Sequence, residues 1–409
     1  MKYGLIGERL GHSFSKNIHE KLGYEYELRQ LKPEELDRFM REKDFLGINV
    51  TIPYKEAVIP YLDEIDEGAR AIGAVNTIVN RDGRLFGHNT DFYGMKELIR
   101  HLELDVEDRK AIILGTGGTS KTAKAALTSL GAKEVIKVSR SKNDEAIDYQ
   151  ELLSKHLDAE IIVNTTPVGM YPDIRKMPVD IYKFQDLVGL IDAVYNPINP
   201  FIVQCAHDMA VTAEGGLYML VAQAVRASEI FLDKSYPDGL IDDIYNDLRR
   251  EKENIVLIGM PASGKSTVGK IVAERLGRKF VDTDEIITER IGMSIKEYFE
   301  QYGEVEFRKI ESEIIADLAC ETSLVIATGG GAILADENVC NLKFNGLLFF
   351  IDRPLECLIP TEDRPLSSDR ESITKRYYER YLVYRGTCDV HIESDLGADN
   401  IADMILENF

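Results

Sequence analysis

Short runs of aliphatic and β-branched residues alternate with segments of helical periodicity along almost the whole chain. This alternation is typical of α/β units whose strands pair in parallel. Two of the runs lead directly into glycine-rich turns and then into helices. Residues 111–114 precede a Gly-Thr-Gly-Gly turn, and residues 255–258 precede a longer glycine-containing loop. Because one sheet rarely contains two such beginnings, the pattern predicts two separate nucleotide-binding sheets.

Three segments place apolar residues every three or four positions, which predicts helices with one buried face. The first two follow the glycine-rich turns and end at Gly131 and Gly277, residues suited to a left-handed helix stop. The third, near residue 220, is expected to pack back onto the N-terminal domain. The three apolar faces are Ala123, Ala126, Leu127 and Leu130; Val268, Ile271, Val272 and Leu276; and Leu217, Leu220, Val221 and Val225.

The charged stretch 247–253 lies just before the second glycine-containing loop and is the best linker candidate in the sequence. We therefore predict a first module over residues 1–250 and a second module over residues 251–409. Within the first module, residues 101–214 are predicted to form a nucleotide-binding domain of the Rossmann type. Residues 1–100, together with about 215–250, are predicted to form an α/β substrate-binding domain.

Composition limits the possible partners and location of the chain. Its 409 residues include 49 Lys+Arg and 70 Asp+Glu, a formal charge of −21 that repels phosphate backbones and anionic lipid. We therefore expect small-molecule substrates and neither nucleic acid nor membrane as partners, with the oligomeric state left open. The five cysteines are scattered and never form Cys-x-x-Cys, and the seven histidines never form His-x-x-x-His. This favours a cytoplasmic protein with reduced thiols and without a metal cage of its own.

The loop in the second module satisfies the pattern G-x-x-x-x-G-K-S between a strand and a helix. Its glycines allow backbone N–H groups to surround a phosphate, Lys265 adds a positive charge toward the β- and γ-oxygens, and the Ser266 hydroxyl can bind Mg²⁺. Asp282 follows at the end of the next strand and is the second candidate for holding Mg²⁺. The sequence thus predicts ATP and Mg²⁺ as cofactors. The predicted ATP-binding residues of this loop are Gly259, Met260, Pro261, Ala262, Ser263, Gly264, Lys265, Ser266 and Thr267.

Further signals follow the loop: Asp-Thr-Asp at 282–284, a triple glycine at 329–331, and three arginines suited to anions. Taken singly, each of these arginines is more often a solvated surface residue. Together and in this order, with Phe307-Arg308-Lys309-Ile310-Glu311 and Arg364-Pro365-Leu366, they resemble the shikimate kinase family over most of residues 253–396. The resemblance implies a P-loop kinase with a five-stranded parallel sheet.

The resemblance to shikimate kinases also implies individual roles. Arg308 and Arg380 would hold the carboxylate of shikimate, and Asp284 would also orient or deprotonate the reacting hydroxyl. Arg364 would close on the transferred phosphoryl group and is assigned to ATP binding. The implied shikimate-binding residues of the kinase are Asp284, Arg308, Gly330, Gly331 and Arg380.

The glycine turn of the first module is a shortened G-x-G-x-x-G, a weak signal that strand and helix context strengthens. A dinucleotide pyrophosphate would lie at the N-terminus of the following helix. The next strand ends in Ser139-Arg140-Ser141 rather than in an acidic residue, and an arginine there can neutralise a 2′-phosphate, which favours NADP over NAD. The predicted NADP-binding residues are Gly115, Gly117, Gly118, Thr119, Ser139, Arg140, Ser141 and Gly216.

Polar side chains interrupt otherwise strand-like or turn-like segments in the first hundred residues, which suits a polyhydroxylated acid as ligand. Any one of these motifs is also explained by ordinary turn and cap chemistry. As a set, with Asp192-Ala193-Val194-Tyr195 and residues 215–223, they are similar to the shikimate dehydrogenase family from about residue 3 to residue 235. The resemblance implies that Lys55 and Asp91 form the catalytic pair. The implied substrate-binding residues are Ser13, Ser15, Thr51, Lys55, Asn76, Asp91, Tyr195 and Gln223.

The two resemblances reinforce each other, because the product of the first implied reaction is the substrate of the second. We therefore predict a bifunctional enzyme that reduces 3-dehydroshikimate with NADPH and then phosphorylates shikimate with ATP. Two alternatives stay open. The first module could be a broader quinate/shikimate dehydrogenase with NAD as a candidate cofactor, and the kinase-like module could be a regulatory domain that binds ATP or shikimate without turnover.

Overall fold

The computed structural model describes residues 1–10, 14–358 and 370–409. Inter-residue contacts divide the chain into two units, Met1–Leu248 and Arg249–Phe409. The predicted assignment of residues 1–250 to a dehydrogenase module and of residues 251–409 to a kinase module stays a prediction.

The first unit contains two six-stranded sheets and the helices that cover them. Its strands are β1 (Tyr3–Gly7), β2 (Glu27–Gln30), β3 (Gly47–Val50), β4 (Glu64–Ile65), β5 (Thr77–Arg81), β6 (Arg84–His88), β7 (Lys110–Leu114), β8 (Glu134–Ser139), β9 (Ile147–Asp148), β10 (Ile161–Asn164), β11 (Gly189–Asp192) and β12 (Thr212–Glu214). Its helices are α1 (Ser15–Lys21), α2 (Pro33–Glu42), α3 (Glu67–Ile72), α4 (Thr90–His101), α5 (Gly118–Ser129), α6 (Tyr149–Lys155), α7 (Phe201–Asp208), α8 (Leu217–Leu232) and α9 (Leu240–Lys252), whose last four residues fall in the second unit.

The first sheet has the order β2-β1-β3-β5-β6-β4 and is mixed, which corrects the expectation of purely parallel sheets. Strand β5 is antiparallel to both β3 and β6. The antiparallel pairing of β5 with β6 follows from the tight turn Asp82-Gly83 between them, where both residues have positive φ (53° and 84°). Asp-Gly with this backbone forms a two-residue hairpin turn whose twist matches that of the flanking strands.

The second sheet of the first unit has the order β12-β11-β10-β7-β8-β9, and all of its pairs are parallel. This is the predicted Rossmann-type domain, with β7 leading into the glycine turn and α5. The predicted inner face of α5 is confirmed, since Ala123, Ala126 and Leu127 are completely buried against β7, β10 and helices α4 and α8. Helix α8 contributes Leu217 and Val221 to the same core.

The second unit has one five-stranded sheet in the order β14-β15-β13-β16-β17, and every pair is parallel, as predicted. The strands are β13 (Asn254–Ile258), β14 (Lys279–Asp282), β15 (Leu324–Ala327), β16 (Gly346–Asp352) and β17 (Val390–Glu393). The helices are α10 (Lys265–Leu276), α11 (Thr283–Ile291), α12 (Ile295–Leu318), α13 (Asp336–Lys343), α14 (Arg370–Thr387) and α15 (Ala398–Asn408). Backbone angles at Gly303 (φ 83°, ψ 171°) interrupt α12, so that residues 304–318 form a separate helical segment.

The charged stretch 247–253, expected to be a linker, is helical through Lys252 as the end of α9. The reason is an apolar stripe that the charges obscured. Ile244, Tyr245 and Leu248 recur at helical spacing, and all three are buried in the core of the first unit. Within the described part of the chain, no helix is both long and apolar enough to cross a membrane.

Candidate active sites

A cavity of about 480 Å³ lies in the first unit, where the carboxyl ends of strands from both sheets meet. Its lining brings together seven of the eight residues that the sequence assigned to the dehydrogenase substrate: Ser15, Thr51, Lys55, Asn76, Asp91, Tyr195 and Gln223. The eighth, Ser13, lies outside the described residues. Two predicted cofactor-binding residues, Thr119 and Gly216, line the same cavity.

Lys55 and Asp91 form an ion pair in this cavity, with Lys55 Nζ 2.5 Å from Asp91 Oδ2. Their side chains are only 15% and 11% exposed, so solvent screens the pair weakly. Asp91 lies in the first turn of α4, which begins where Asn89 Oδ1 accepts a hydrogen bond from the N–H of Phe92 (3.1 Å). A lysine held by a carboxylate in this way can donate a proton to an oxygen atom that gains negative charge.

Buried amides and hydroxyls behind the ion pair form one hydrogen-bonded network. Asn76 Oδ1 accepts from the N–H of Thr90 (2.7 Å), and the Thr90 hydroxyl donates to Gln223 Oε1 (3.3 Å). Asn49 Nδ2 donates to the Thr77 hydroxyl (3.0 Å) and also lines the cavity. Such a network fixes the rotamers of the predicted substrate-binding amides. Sequence reasoning missed Asn49, although a polar residue inside the buried strand β3 was a signal.

The glycine turn after β7 allows close packing between backbone segments. Gly115 has φ 113°, and a Cβ atom there would lie 2.7 Å from Thr165 Oγ1. Thr165 and Thr166 line the cavity and were missed, because their contact with the glycine turn depends on β10 pairing with β7. Gly216 is equally confined, since a Cβ atom there would lie 2.3 Å from the Ala193 carbonyl oxygen.

The remaining predicted NADP residues are not among the residues that line the cavity. Gly117 caps the N-terminus of α5, and Gly118 begins it. Ser139 ends β8, which pairs with β7, so Ser139, Arg140 and Ser141 lie one strand away from the glycine turn. The Ser139 hydroxyl donates to the carbonyl oxygen of Ser141, and the Arg140 side chain is exposed. An exposed arginine beside a glycine turn and a helix N-terminus fits a dinucleotide that carries a 2′-phosphate.

One buried carboxyl group connects two loops of the cavity wall. Asp192 Oδ1 accepts from Asn164 Nδ2 (2.9 Å) and from the N–H of Val194 (3.0 Å), while its Oδ2 atom is buried without a partner among the described residues. Burial raises the pKa of Asp192 to about 8. Residues 165–171 follow Asn164 and residues 193–196 follow Asp192, so this contact fixes both loops.

We expect Asp192→Asn to remove a pH dependence of stability. An unfolded carboxyl loses its proton near pH 4, whereas Asp192 in the folded protein keeps it to about pH 8. The folded state therefore binds more protons in this interval, and its stability falls as pH rises from 4 to 8. Calorimetry from pH 5 to 8 should follow the unfolding transition that NADP⁺ shifts. The free energy of unfolding of the variant should rise relative to that of wild type as the pH increases. Asp186→Asn, at an exposed site, is the control; a constant difference would contradict the prediction.

The second unit has its own cavity, of about 240 Å³, at the carboxyl end of its sheet. Its lining includes eight predicted residues: Ala262, Gly264, Lys265, Ser266, Thr267, Asp282, Asp284 and, from the triple-glycine loop, Gly330. Gly259, Met260, Pro261 and Ser263 complete the loop between β13 and α10. Lys265 Nζ donates to the carbonyl oxygens of Gly259 and Met260, each at 2.9 Å, and is only 6% exposed. Thr328 also lines the cavity and was missed.

Ser266 and Asp282 supply oxygen atoms that fit Mg²⁺. The Ser266 hydroxyl donates to Asp282 Oδ2 (2.5 Å) at the cavity wall, and the other oxygen, Oδ1, accepts from the N–H of Asp284 (3.0 Å). In nucleotide sites Mg²⁺ is usually held by one or two protein oxygens together with phosphate oxygens and water. One hydroxyl and one carboxylate beside the phosphate loop match that set.

Two arginines converge near the triple glycine. Arg308 Nη1 donates to Glu311 Oε2 (2.7 Å), and Arg380 Nη1 donates to the Gly330 carbonyl oxygen (2.8 Å). A Cβ atom at Gly331 would lie 2.3 Å from Arg308 Nη2, so a side chain at this position would displace the guanidinium. The structure thus brings together Asp284, Arg308, Gly330, Gly331 and Arg380, as predicted. Arg364 lies outside the described residues.

Glu311 is a functional candidate that sequence reasoning left without a role. It is 1% exposed, and burial raises its pKa although Arg308 opposes the shift. Its Oε1 atom is buried without a hydrogen-bond partner among the described residues. The available signal was the spacing of three between Arg308 and Glu311, which places both on one face of a helix.

Comparisons with known proteins match both units. Residues 5–78 match the family model for the shikimate dehydrogenase substrate-binding domain, and residues 261–409 match the model for shikimate kinase. The NADP(+) shikimate dehydrogenase of Clostridium beijerinckii is 36% identical over 267 residues, which span 61% of this chain and 98% of that protein. The chain belongs to the shikimate dehydrogenase family.

Solved structures of shikimate dehydrogenases resemble the same part of the chain. Shikimate dehydrogenase 1 from Peptoclostridium difficile is 37% identical with a TM-score of 0.57, covering 61% of this chain and 98% of that one. The Thermus thermophilus enzyme, solved in complex with NADP(H) and shikimate, is 27% identical with a TM-score of 0.55, covering 60% and 99%.

In this chain the part that matches shikimate dehydrogenases is therefore followed by a shikimate kinase domain. The prediction of a bifunctional shikimate-pathway enzyme is confirmed, as are its fold class and its cofactors NADP(H), ATP and Mg²⁺.

Proposed function

We propose that the residues gathered in the two cavities carry two consecutive reactions, the reduction of 3-dehydroshikimate to shikimate and the phosphorylation of shikimate to shikimate 3-phosphate. The observation that supports this most directly is the pairing of Lys55 with Asp91 inside a cavity lined by hydroxyls and amides. The second cavity supports the second reaction, because a P-loop lysine, a serine–aspartate pair and two arginines surround it.

In the first reaction, bound NADPH supplies a hydride to the carbonyl carbon of the substrate. Lys55 stabilises the negative charge that develops on the carbonyl oxygen and transfers its proton to that oxygen, which completes the hydroxyl of shikimate. Asp91 keeps the Lys55 ammonium aimed into the cavity through the 2.5 Å ion pair. Ser15, Thr51, Asn76, Tyr195 and Gln223 would bind the remaining polar groups of the substrate.

In the second reaction, bound Mg-ATP supplies the phosphoryl group. Asp284 orients the acceptor hydroxyl of shikimate and accepts its proton, while Lys265 neutralises charge on the phosphates. Arg308 and Arg380 bind the carboxylate, a group that planar guanidinium ions recognise well. Ser266 and Asp282 hold Mg²⁺ directly or through water.

Arg140 is proposed to select NADPH over NADH. We expect Arg140→Ala to raise the KM for NADPH about tenfold or more, because a charge-assisted contact to the 2′-phosphate contributes about 1.5–3 kcal/mol. The KM for NADH should change little, since NADH has no phosphate there. Arg100→Ala, with a side chain 69% exposed on α4, is the control. An equal loss with both cofactors would contradict the assignment.

The proposal includes the location of the protein, which we place in the cytoplasm. The cysteines support this, because they are scattered along the chain and odd in number. We also expect no nucleic-acid or membrane partner, because the net charge of −21 opposes both. Quinate remains the alternative substrate to be compared with shikimate under NADP⁺ and NAD⁺.

The deciding experiment supplies 3-dehydroshikimate, NADPH and Mg-ATP to the full-length protein. Loss of NADPH and formation of ADP are followed separately, so each reaction has its own signal. We expect ADP to form only after NADPH oxidation begins, or at once when shikimate itself is added. No ADP from added shikimate would overturn the kinase proposal, and no NADPH oxidation would overturn the dehydrogenase proposal.

A further inference from the structure

The carbonyl oxygen of Gly330 accepts two hydrogen bonds from helix α14. One comes from Arg380 Nη1 (2.8 Å) and the other from the hydroxyl of Tyr384, one helical turn later. Both donors are buried, with Arg380 9% and Tyr384 1% exposed. Burial raises the pKa of Tyr384 to about 12, although the nearby Arg380 guanidinium opposes the shift. The Tyr384 hydroxyl therefore stays protonated and remains a donor at neutral pH.

Tyr384 is itself fixed by the central sheet of the second unit. Its ring stacks on Phe350 with centroids 5.0 Å apart and an interplanar angle of 14°. Phe350 belongs to β16 and pairs with Ile258, the last residue of β13 before the phosphate loop. The hydroxyl position is thus set by the same strands that set the position of the phosphate loop.

Fixing the Gly330 carbonyl also fixes the group on the opposite side of the same peptide. In a trans peptide the C=O of Gly330 and the N–H of Gly331 point in opposite directions, so the N–H is directed away from α14. Glycine has no side chain to hold this peptide, and free glycine peptides rotate readily. Gly331 lies against Arg308, and Gly330 lines the nucleotide cavity, so the peptide stands between the two proposed ligands.

We propose that Tyr384 is a positioning residue of the kinase, which holds the Gly330–Gly331 peptide and Arg380 in the arrangement that receives the carboxylate of shikimate. The inference rests on the proposed kinase activity. In this proposal Tyr384 does not contact the substrate. Tyr384 acts on the site only through the Gly330 carbonyl oxygen and through Arg380.

The test compares Tyr384→Phe with wild type in the full-length protein, following ADP formation with shikimate and ATP varied in turn. The variant keeps the stacked ring and loses only the donor, so the chain is expected to fold. We expect the KM for shikimate to rise about tenfold, because one buried hydrogen bond is lost and its acceptor is left weakly held. The KM for ATP should stay within about twofold and kcat within about threefold, because neither the phosphate loop nor Asp284 is altered.

Tyr381→Phe is the matched control. Tyr381 lies on the same helix and packs near the same Phe350 ring (6.1 Å), but its hydroxyl interacts with Asp352 and not with Gly330. Both KM values should stay at wild-type level in this variant. If Tyr384→Phe leaves the shikimate KM unchanged, or raises both KM values together, the proposal is overturned.

A double-mutant cycle tests the shared carbonyl. Arg380→Lys and Tyr384→Phe should together raise the shikimate KM by less than the product of their separate increases, because both act on one acceptor. If the increase in the shikimate KM of the double variant equals the product of the two separate increases, Arg380 and Tyr384 do not act through one shared carbonyl, and the proposal is overturned. A wild-type protein that makes no ADP from shikimate would instead overturn the proposed kinase activity, so the two failures are distinguishable.

Discussion

Lys55→Ala is expected to abolish NADPH-dependent reduction of 3-dehydroshikimate and to leave ADP formation from added shikimate intact. Removing a positioned proton donor costs about 10²–10⁴ in rate, and here the same residue also balances developing oxyanion charge, so we expect a loss of kcat near the upper end. The residual Asp91 carboxylate would lie in the cavity without its 2.5 Å partner, repelling the charge that forms during reduction. Initial rates at saturating NADPH measure the effect.

Two controls make the Lys55→Ala result interpretable. Kinase activity in the same preparation reports on the second unit and on protein concentration. Lys43→Ala removes another lysine of the first unit. Lys43 pairs with Asp63 (3.5 Å) outside the cavity, so its loss should leave reduction unchanged. A Lys55→Ala enzyme that keeps more than about a tenth of wild-type kcat would refute the assignment, because general acid–base catalysis is worth more than that.

The parts of the sites that the sequence predicted best are contiguous in the chain. The phosphate loop is one strand, one turn and one helix, so the spacing of its glycines, Lys265 and Ser266 already determines which atoms face a nucleotide. The structure places these residues around one cavity together with Asp282. Lys55 and Asp91 are different, because 36 positions separate them and their pairing depends on β3, the β5–β6 hairpin and α4. A resemblance to a family supplied that pairing; periodicity did not.

The missed features depend on packing between distant segments. In the sequence, Asn49 looks like an ordinary strand residue. Its role becomes visible only in the structure, where it forms hydrogen bonds with Tyr26 and Thr77 in the core. Thr165 faces the glycine turn only because β10 pairs with β7. The mixed sheet was in principle predictable from Asp82-Gly83, whereas the helical end of α9 was hidden by the charges around Leu248.

Lys265→Ala is expected to have the opposite signature, with ADP formation lost and 3-dehydroshikimate reduction unchanged. In a P-loop the lysine neutralises charge on the transferred phosphoryl group, a contribution that Coulomb attraction in a buried site makes large. Among the described residues that line the nucleotide cavity, Lys265 is the only lysine, and it is 6% exposed, so no other lysine in that lining can replace it. We expect kcat for ADP formation to fall about a hundredfold to a thousandfold. Lys270→Ala is the matched control, since Lys270 lies on the same helix with a 60% exposed side chain paired to Glu285.

A loss of kcat below about tenfold in Lys265→Ala would show that Lys265 takes no part in the chemistry, because electrostatic groups at phosphoryl-transfer sites contribute more. If reduction fell in parallel, the substitution would be acting on the fold of the whole chain, and the separation of the two activities into two units would be wrong.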